Sequence, residues 1–385
     1  MARAGGKVAA ILPTHFLQRR RLGLGLPLLA LPRLVRAQVA ELRLLALLPL
    51  TGALAVRGDE TCRGLELAAE EREGTPRFRV LRHDAPDAAA GVAELRRIAA
   101  GPDRPAAVFG SVSSAIAMAV IPAAEALGLP FFELSAVADG IGGRAAWRLG
   151  PQAQQYGAVA AGVMTRQVPS LLSLPVEALR VAILGGGGAS ADAICDAAEA
   201  ALIAAGVAVA VRFAAPATEM GHAVQRLRNA GAELVLHSGN ETDIAALFRA
   251  FREEGWHPRL VLGAGGGHAV LDTARAAGAG HDGTLVVDVP PVPPAALFTD
   301  VYRRRYGAPP RSGHSVAAYS LARPVLDALR AADPRSALAM VDLPEGTLAN
   351  GWGLRFDARL QNLRAPPVLS RWENGALIAV ASAIR

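Results

Sequence analysis

From Leu42 onward, short apolar runs alternate with stretches of helical spacing, and the whole pattern is repeated once along the chain. Leu42–Pro49 is apolar at nearly every position, as a strand covered on both faces must be. Asp59–Glu73 follows with Leu65, Ala68 and Ala69 at helical spacing and acids where the helix dipole favours them. Phe78–His83, Ala106–Gly110 and Pro130–Leu134 read as further strands, with helices at Asp87–Ala100 and Ser113–Leu127 between them. This order predicts a parallel sheet with helices on both sides. A second copy starts near Gln152. Its helices are expected at Gln154–Thr165, Ala191–Ala205, His222–Ala230 and Thr242–Glu254, and its strands at Val181–Leu184, Val207–Phe213, Leu234–His237 and Leu260–Leu262. Two similar α/β lobes are therefore expected, not one large sheet. Leu285–Val289, a proline-rich loop at Pro290–Pro294, a helix at His314–Leu329 and short strands at Gly353–Phe356 and Val368–Glu373 complete the chain, with a turn at Glu373-Asn374-Gly375.

The run RVAILGGGGASADAIC (Arg180–Cys195) invites a nucleotide-binding reading, and its details argue against it. A phosphate loop needs a lysine followed by Ser or Thr, yet Gly185–Gly188 leads into Ala189-Ser190-Ala191, and Lys7 is the chain's only lysine. Ser190 also replaces the third glycine of the dinucleotide fingerprint, and the next strand ends in Arg212-Phe213, not in an acid. What remains is a tight turn at the carboxyl edge of a parallel sheet. Ligands of open α/β sheets sit at that edge. The loops 51–59, 110–114, 135–139, 185–190, 238–241 and 263–267 would line a cleft if the two lobes faced each other.

The formal charge of +6 does not describe a nucleic-acid binder. Seven of the 40 basic residues lie within the first 37 positions, which hold no acid, so 33 remain against 34 acids. Residues 1–37 read as an export signal. Arg19-Arg20-Arg21 precedes an apolar run at Leu22–Leu31 that is too short to span a bilayer, and Val35-Arg36-Ala37 offers a cleavage site. The arginine cluster resembles a twin-arginine signal. No cysteine stands at the cleavage point for lipid attachment. Cys62 and Cys195 read as buried residues without a bridge, and the eight histidines show no metal-ligand spacing. No cofactor and no metal are expected.

These features together resemble the periplasmic solute-binding proteins of the leucine/isoleucine/valine type that serve ABC importers. The resemblance runs through PLTGALAVRGDETCRGLELA (Pro49–Ala68), His83-Asp84 with Pro86, GSVSSAIAMAVIPAAEALGLPFFELSA (Gly110–Ala136), RLGP (Arg148–Pro151) and HSVAAYSLARPVLDAL (His314–Leu329). It implies the type I fold: two doubly wound parallel-sheet lobes joined by three crossing strands that close on a ligand. The lobes would be 38–148 with 290–349 and 149–289 with 350–385, with crossings near 146–152, 283–290 and 349–357. The protein would be an exported, monomeric carrier that hands a small molecule to a membrane permease, with no covalent chemistry. A ligand-sensing receptor of the same fold is the alternative, since fold does not fix function. An α/β enzyme is disfavoured, because no nucleophile elbow or metal site is present in the sequence.

The resemblance also implies a ligand set. Ser113 and Ser114 fall at a helix start suited to an anion, where one of them would cap the helix. Ser135 and Ala136 fall on the next pocket loop, Ser190 and Asn240 at positions often aromatic, and Gly265 where amino-acid binders carry an acid for the ammonium group. Arg57 stands where a cleft aromatic is common, either pairing with a carboxylate or lying in a solvated loop. Without that acid, a buried ammonium would be unpaired. The expected solute therefore has a carboxylate or other polar oxygens, an apolar body and no obligatory ammonium.

Overall fold

The computed structural model describes residues 41–293 and 296–380; the expected export signal at residues 1–37 lies outside them. In the first half of the chain, β1 (Glu41–Leu48), β2 (Arg77–Asp84), β3 (Ala107–Gly110), β4 (Phe131–Glu133) and β5 (Ala146–Arg148) form a fully parallel sheet in the order β2-β1-β3-β4-β5. The helices between them are α1 (Ala55–Glu70), α2 (Ala88–Ala100) and α3 (Ser114–Ala126). The apolar character of β1 has a direct cause. Leu44, Ala46 and Leu48 pack with Cys62, Leu65 and Val316 on one face, while Leu45 and Leu47 pack with Ile98, Ile116 and Val120 on the other. Each fully buried leucine there contributes about 2 kcal/mol.

The second lobe repeats the pattern. Its helices are α4 (Ala153–Gly162), α5 (Val168–Leu172), α6 (Ala189–Ala204), α7 (Met220–Asn229), α8 (Glu241–Glu253) and α9 (Leu271–Ala277). Strands β6 (Val181–Gly185), β7 (Val209–Ala214), β8 (Leu234–Ser238), β9 (Leu260–Ala264) and β10 (Leu285–Asp288) pair in parallel in the order β7-β6-β8-β9-β10. Val181 and Ile183 face Ile194, Cys195 and Ala198, whereas Ala182 and Leu184 face Val224, Leu227 and Leu247. The chain then returns to the first lobe through α10 (Leu297–Tyr306), α11 (Gly313–Leu329), α12 (Pro334–Ala339) and the short strands β11 (Asp342–Leu343) and β12 (Leu354–Arg355). Helix α11 lies directly on α1. A side-chain carbon at Gly64 would sit 2.1 Å from the Ser315 carbonyl oxygen, so the two helices meet this closely only because residue 64 has none.

The hairpin of β13 (Val368–Glu373) and β14 (Ala376–Ala379) joins the second sheet antiparallel to β10, turning at Asn374-Gly375. Chain passages between the sheets follow β5, follow β10 and precede β13. The last falls at Pro366-Pro367 and not at 349–357, because Trp352, Leu354 and Ala365 are buried in the core of the first lobe. Cys62 and Cys195 are free and buried in separate cores. Among the described residues no helix is long and apolar enough to cross a membrane.

Candidate functional site

Each sheet has one place where successive connections leave in opposite directions. In the first sheet it lies between β1 and β3, and in the second between β6 and β8. The loops diverge there and leave a crevice at the carboxyl ends of the strands. The two crevices face each other around a cavity of about 200 Å³. The first lobe lines it with Ala53, Leu54, Arg57, Val112, Ser113 and Ser135. The second lobe contributes Gly187, Ser190, Ser238, Gly239 and Asn240, and Tyr156, Asp288 and His314 complete the wall.

Arg57 sits in the first turn of α1, which begins four residues earlier than its sequence spacing indicates, so it is not a solvated loop residue. It is 7% exposed. Its Nε donates to Glu241 Oε1 at 2.9 Å and its Nη2 to Oε2 at 3.5 Å, across the gap between the lobes. Its Nη1 has no acceptor among the described residues.

Two serine loops of the first lobe hang on one buried carboxylate. Glu133 Oε2 accepts from the Ser111 N–H and hydroxyl, and Oε1 accepts from the N–H groups of Ser135 and Ala136. This fixes the chain on both sides of the cavity mouth. Ser135 Oγ is buried on the wall without a partner among the described residues. Ser113 is the N-cap residue of α3 but makes no side-chain cap bond, and its side chain lines the cavity.

Three of the expected contact residues are not on the wall. Ser114 is turned inward, where its Oγ accepts the N–H groups of Val137 and Ala138, so it does not cap its helix either. Ala136 is buried with its N–H held by Glu133. Gly265 has φ +60°, which any side chain would strain, and a side-chain carbon there would lie 2.6 Å from Ile194 Cδ1 and push it aside; Gly266 lines the cavity in its place. Ser190 and Asn240 do line it, but both are already engaged. Ser190 Oγ donates to Ser114 Oγ at 2.9 Å and accepts the Ser114 N–H at 3.1 Å, so a hydroxyl of one lobe caps a helix of the other. Asn240 caps α8 by accepting from the N–H groups of Thr242 and Asp243.

Tyr156, Asp288 and His314 are wall residues that the sequence reading missed. Asp288 ends β10, is 2% exposed, and accepts the Tyr156 hydroxyl at 3.0 Å and the Val289 N–H at 2.8 Å, both on Oδ1. Burial pushes its carboxyl up to about 6, while these hydrogen bonds and Arg57 oppose the rise. Burial lowers the His314 imidazole to about 3, with Arg57 adding to the effect, so the ring is neutral. The signal for Asp288 was an acid closing the apolar run Leu285–Val287 immediately before a proline-rich loop.

The wall thus combines hydroxyls, one guanidinium tied across the lobes and one buried carboxylate, an arrangement that can hold a small polar molecule. The sequence model of the periplasmic binding protein family matches residues 41–357. Leu/Ile/Val-binding protein homolog 7 of Brucella melitensis is 32% identical over 365 residues, covering 89% of this chain and 91% of that protein. Among solved structures, a Rhodopseudomonas palustris ABC-transporter solute-binding protein in complex with 4-hydroxybenzoate superposes with a TM-score of 0.75 at 19% identity, covering 89% of this chain and 96% of that one. The substrate-binding protein LivJ of Streptococcus pneumoniae in complex with isoleucine gives 0.76 at 17%, covering 88% and 98%. The fold and the match along nearly all of the described chain agree: the chain belongs to the periplasmic binding protein family, among relatives of the Leu/Ile/Val-binding type.

Proposed function

We propose that the protein captures one small solute between its lobes and delivers it, chemically unchanged, to the permease of an ABC importer after export. The observation that carries this reading is the cavity at the meeting of two switch points, closed by contacts that span the lobes. A site of that kind opens and closes by hinge motion, and closure linked to ligand contacts is what a carrier needs. The solute has a carboxylate or comparable polar oxygens and an apolar body, and it needs no ammonium group. Arg57 and the hydroxyls of Ser113 and Ser135 support the anionic end. Glycine at residue 265, which puts no acid there, supports the absence of an ammonium requirement. A cavity of about 200 Å³ suits a small molecule.

Thermal unfolding of residues 38–385 against amino acids, aliphatic and aromatic carboxylates, amides, sugars and nucleotides tests this. A ligand at 100 times its Kd adds about 2.7 kcal/mol, which for a chain of this size raises Tm by about 4 °C. A rise with carboxylates, and their recovery unaltered after incubation, is the expected result. A rise confined to sugars or nucleotides would overturn the assignment of the solute class, and conversion of the ligand would overturn the carrier role.

A further inference from the structure

We infer that the solute presents an O–H or N–H donor to Asp288 Oδ2, which makes Asp288 the residue that selects among otherwise similar acids; this rests on the solute-binding reading above. Oδ1 of this carboxylate is satisfied twice, by Tyr156 and Val289. Oδ2 is buried and has no partner among the described residues, although the residue lies on the cavity wall. A buried carboxylate oxygen without a donor is costly, and the described residues supply none. The one guanidinium on the cavity wall is committed to Glu241 through Nε and Nη2. His314, on the same wall, has its Nδ1 engaged with Ser312 Oγ at 2.7 Å. A carboxylate with one open acceptor therefore stands on the wall of the volume the solute would fill.

The position of the acid matters as well. Residue 265 is glycine and offers no acceptor side chain, so the acceptor comes from the end of the neighbouring strand β10, on the second-lobe side of the cavity. Ser113 and Ser135 stand on the first-lobe side. A solute with an acid group at one end and a donor elsewhere would be held by both lobes at once. A hydroxyl, an amide or an ammonium all supply the donor, and they differ in how they respond to loss of the negative charge.

Titration calorimetry at pH 7.5 with matched acids tests this: 4-methylpentanoate, 2-hydroxy-4-methylpentanoate and leucine form one set, benzoate and 4-hydroxybenzoate the other. The protein is expected to bind at least one donor-bearing member about tenfold or more tighter than its donor-free counterpart. Asp288→Ala, with its fold checked by circular dichroism, is expected to erase that preference. In Asp288→Asn the amide oxygen stays with Tyr156 and Val289 and the NH₂ takes the open position, so part of the preference is kept for a hydroxyl, which can turn and accept, and it is lost for an ammonium. The preference of the unaltered protein is itself decisive and does not depend on either variant folding. Equal affinity for donor-bearing and donor-free members would overturn the inference and leave the carboxylate reading in place. Binding of none of the five acids would remove both.

Discussion

Four donors from two loops converge on Glu133, and the same loops meet again where Ser114 Oγ accepts the Val137 and Ala138 N–H groups. Glu133→Gln keeps the size of the side chain but turns an amide NH₂ toward backbone N–H groups on one side. Stability is expected to fall by about 2 kcal/mol, the cost of leaving buried donors unmatched. Urea unfolding measures it, and an unchanged midpoint would show that the loops hold themselves. The residue scale is also where the sequence was least legible. Ser113 and Ser114 are adjacent, yet the first, the extended N-cap, lies on the wall and the second, which starts the helix, lies in the core. Identity and spacing do not tell which of the two points at the cavity; that is set by the N–H groups of Val137 and Ala138, which come from a distant loop. Arg57 was recognisable as a cleft residue, but Glu241, its partner, is 184 positions away.

At the scale of elements, most of the order was legible because buried parallel strands must be apolar throughout. Helices α9 and α10 were not read: α10 buries only Phe298, Thr299 and Tyr302 and ends in three arginines, too narrow an apolar stripe to stand out. The α1–α11 contact yields a firm expectation. Gly64→Ala drives a methyl carbon into the Ser315 carbonyl, so a loss of about 3 kcal/mol is expected in thermal or urea unfolding. Wild-type stability in that variant would mean that the helices can separate freely. The second lobe carries a different liability. His237, His268 and His281 are buried, with His237 Nδ1 and His268 Nε2 2.9 Å apart. Burial lowers His237 to about 3, His281 to about 4 and His268 well below the ordinary value. In the unfolded chain each takes a proton near pH 6.5, whereas in the folded chain it does not until far lower pH. Stability is therefore full above about pH 6.5 and falls as the pH drops toward 4, by about 1.4 kcal/mol per pH unit for each ring that titrates only when unfolded. Asp288, raised to about 6, works in the opposite direction between about pH 4 and 6 but is a single group. Tm should drop between pH 7 and 5, and His281→Phe should flatten that drop. A Tm independent of pH over this range would contradict the assignment.

For the whole molecule, the decisive contacts are those that pass between lobes. The Arg57–Glu241 pair is largely shielded from solvent, with its side chains 9% and 14% exposed, so ions screen it less than a surface pair. If it favours closure, it also favours the state that grips the solute, and affinity scales with the fraction of protein in that state. A double-mutant cycle of Arg57→Ala and Glu241→Ala on ligand Kd is expected to give a coupling of about 1.5 kcal/mol or more. Strict additivity would mean that the pair only decorates the rim. The bond between Ser190 and the first amide of α3 has a further consequence. A helix amide that would attract an anion already has an oxygen on it, supplied by the facing lobe. A solute oxygen that takes this N–H displaces Ser190, so binding there is an exchange between two acceptors and not a new bond. Such an exchange changes the hydrogen-bond count little. The serine is an internal competitor: it sets a threshold that any incoming oxygen must exceed, and it is ready to reclaim the amide when the solute departs.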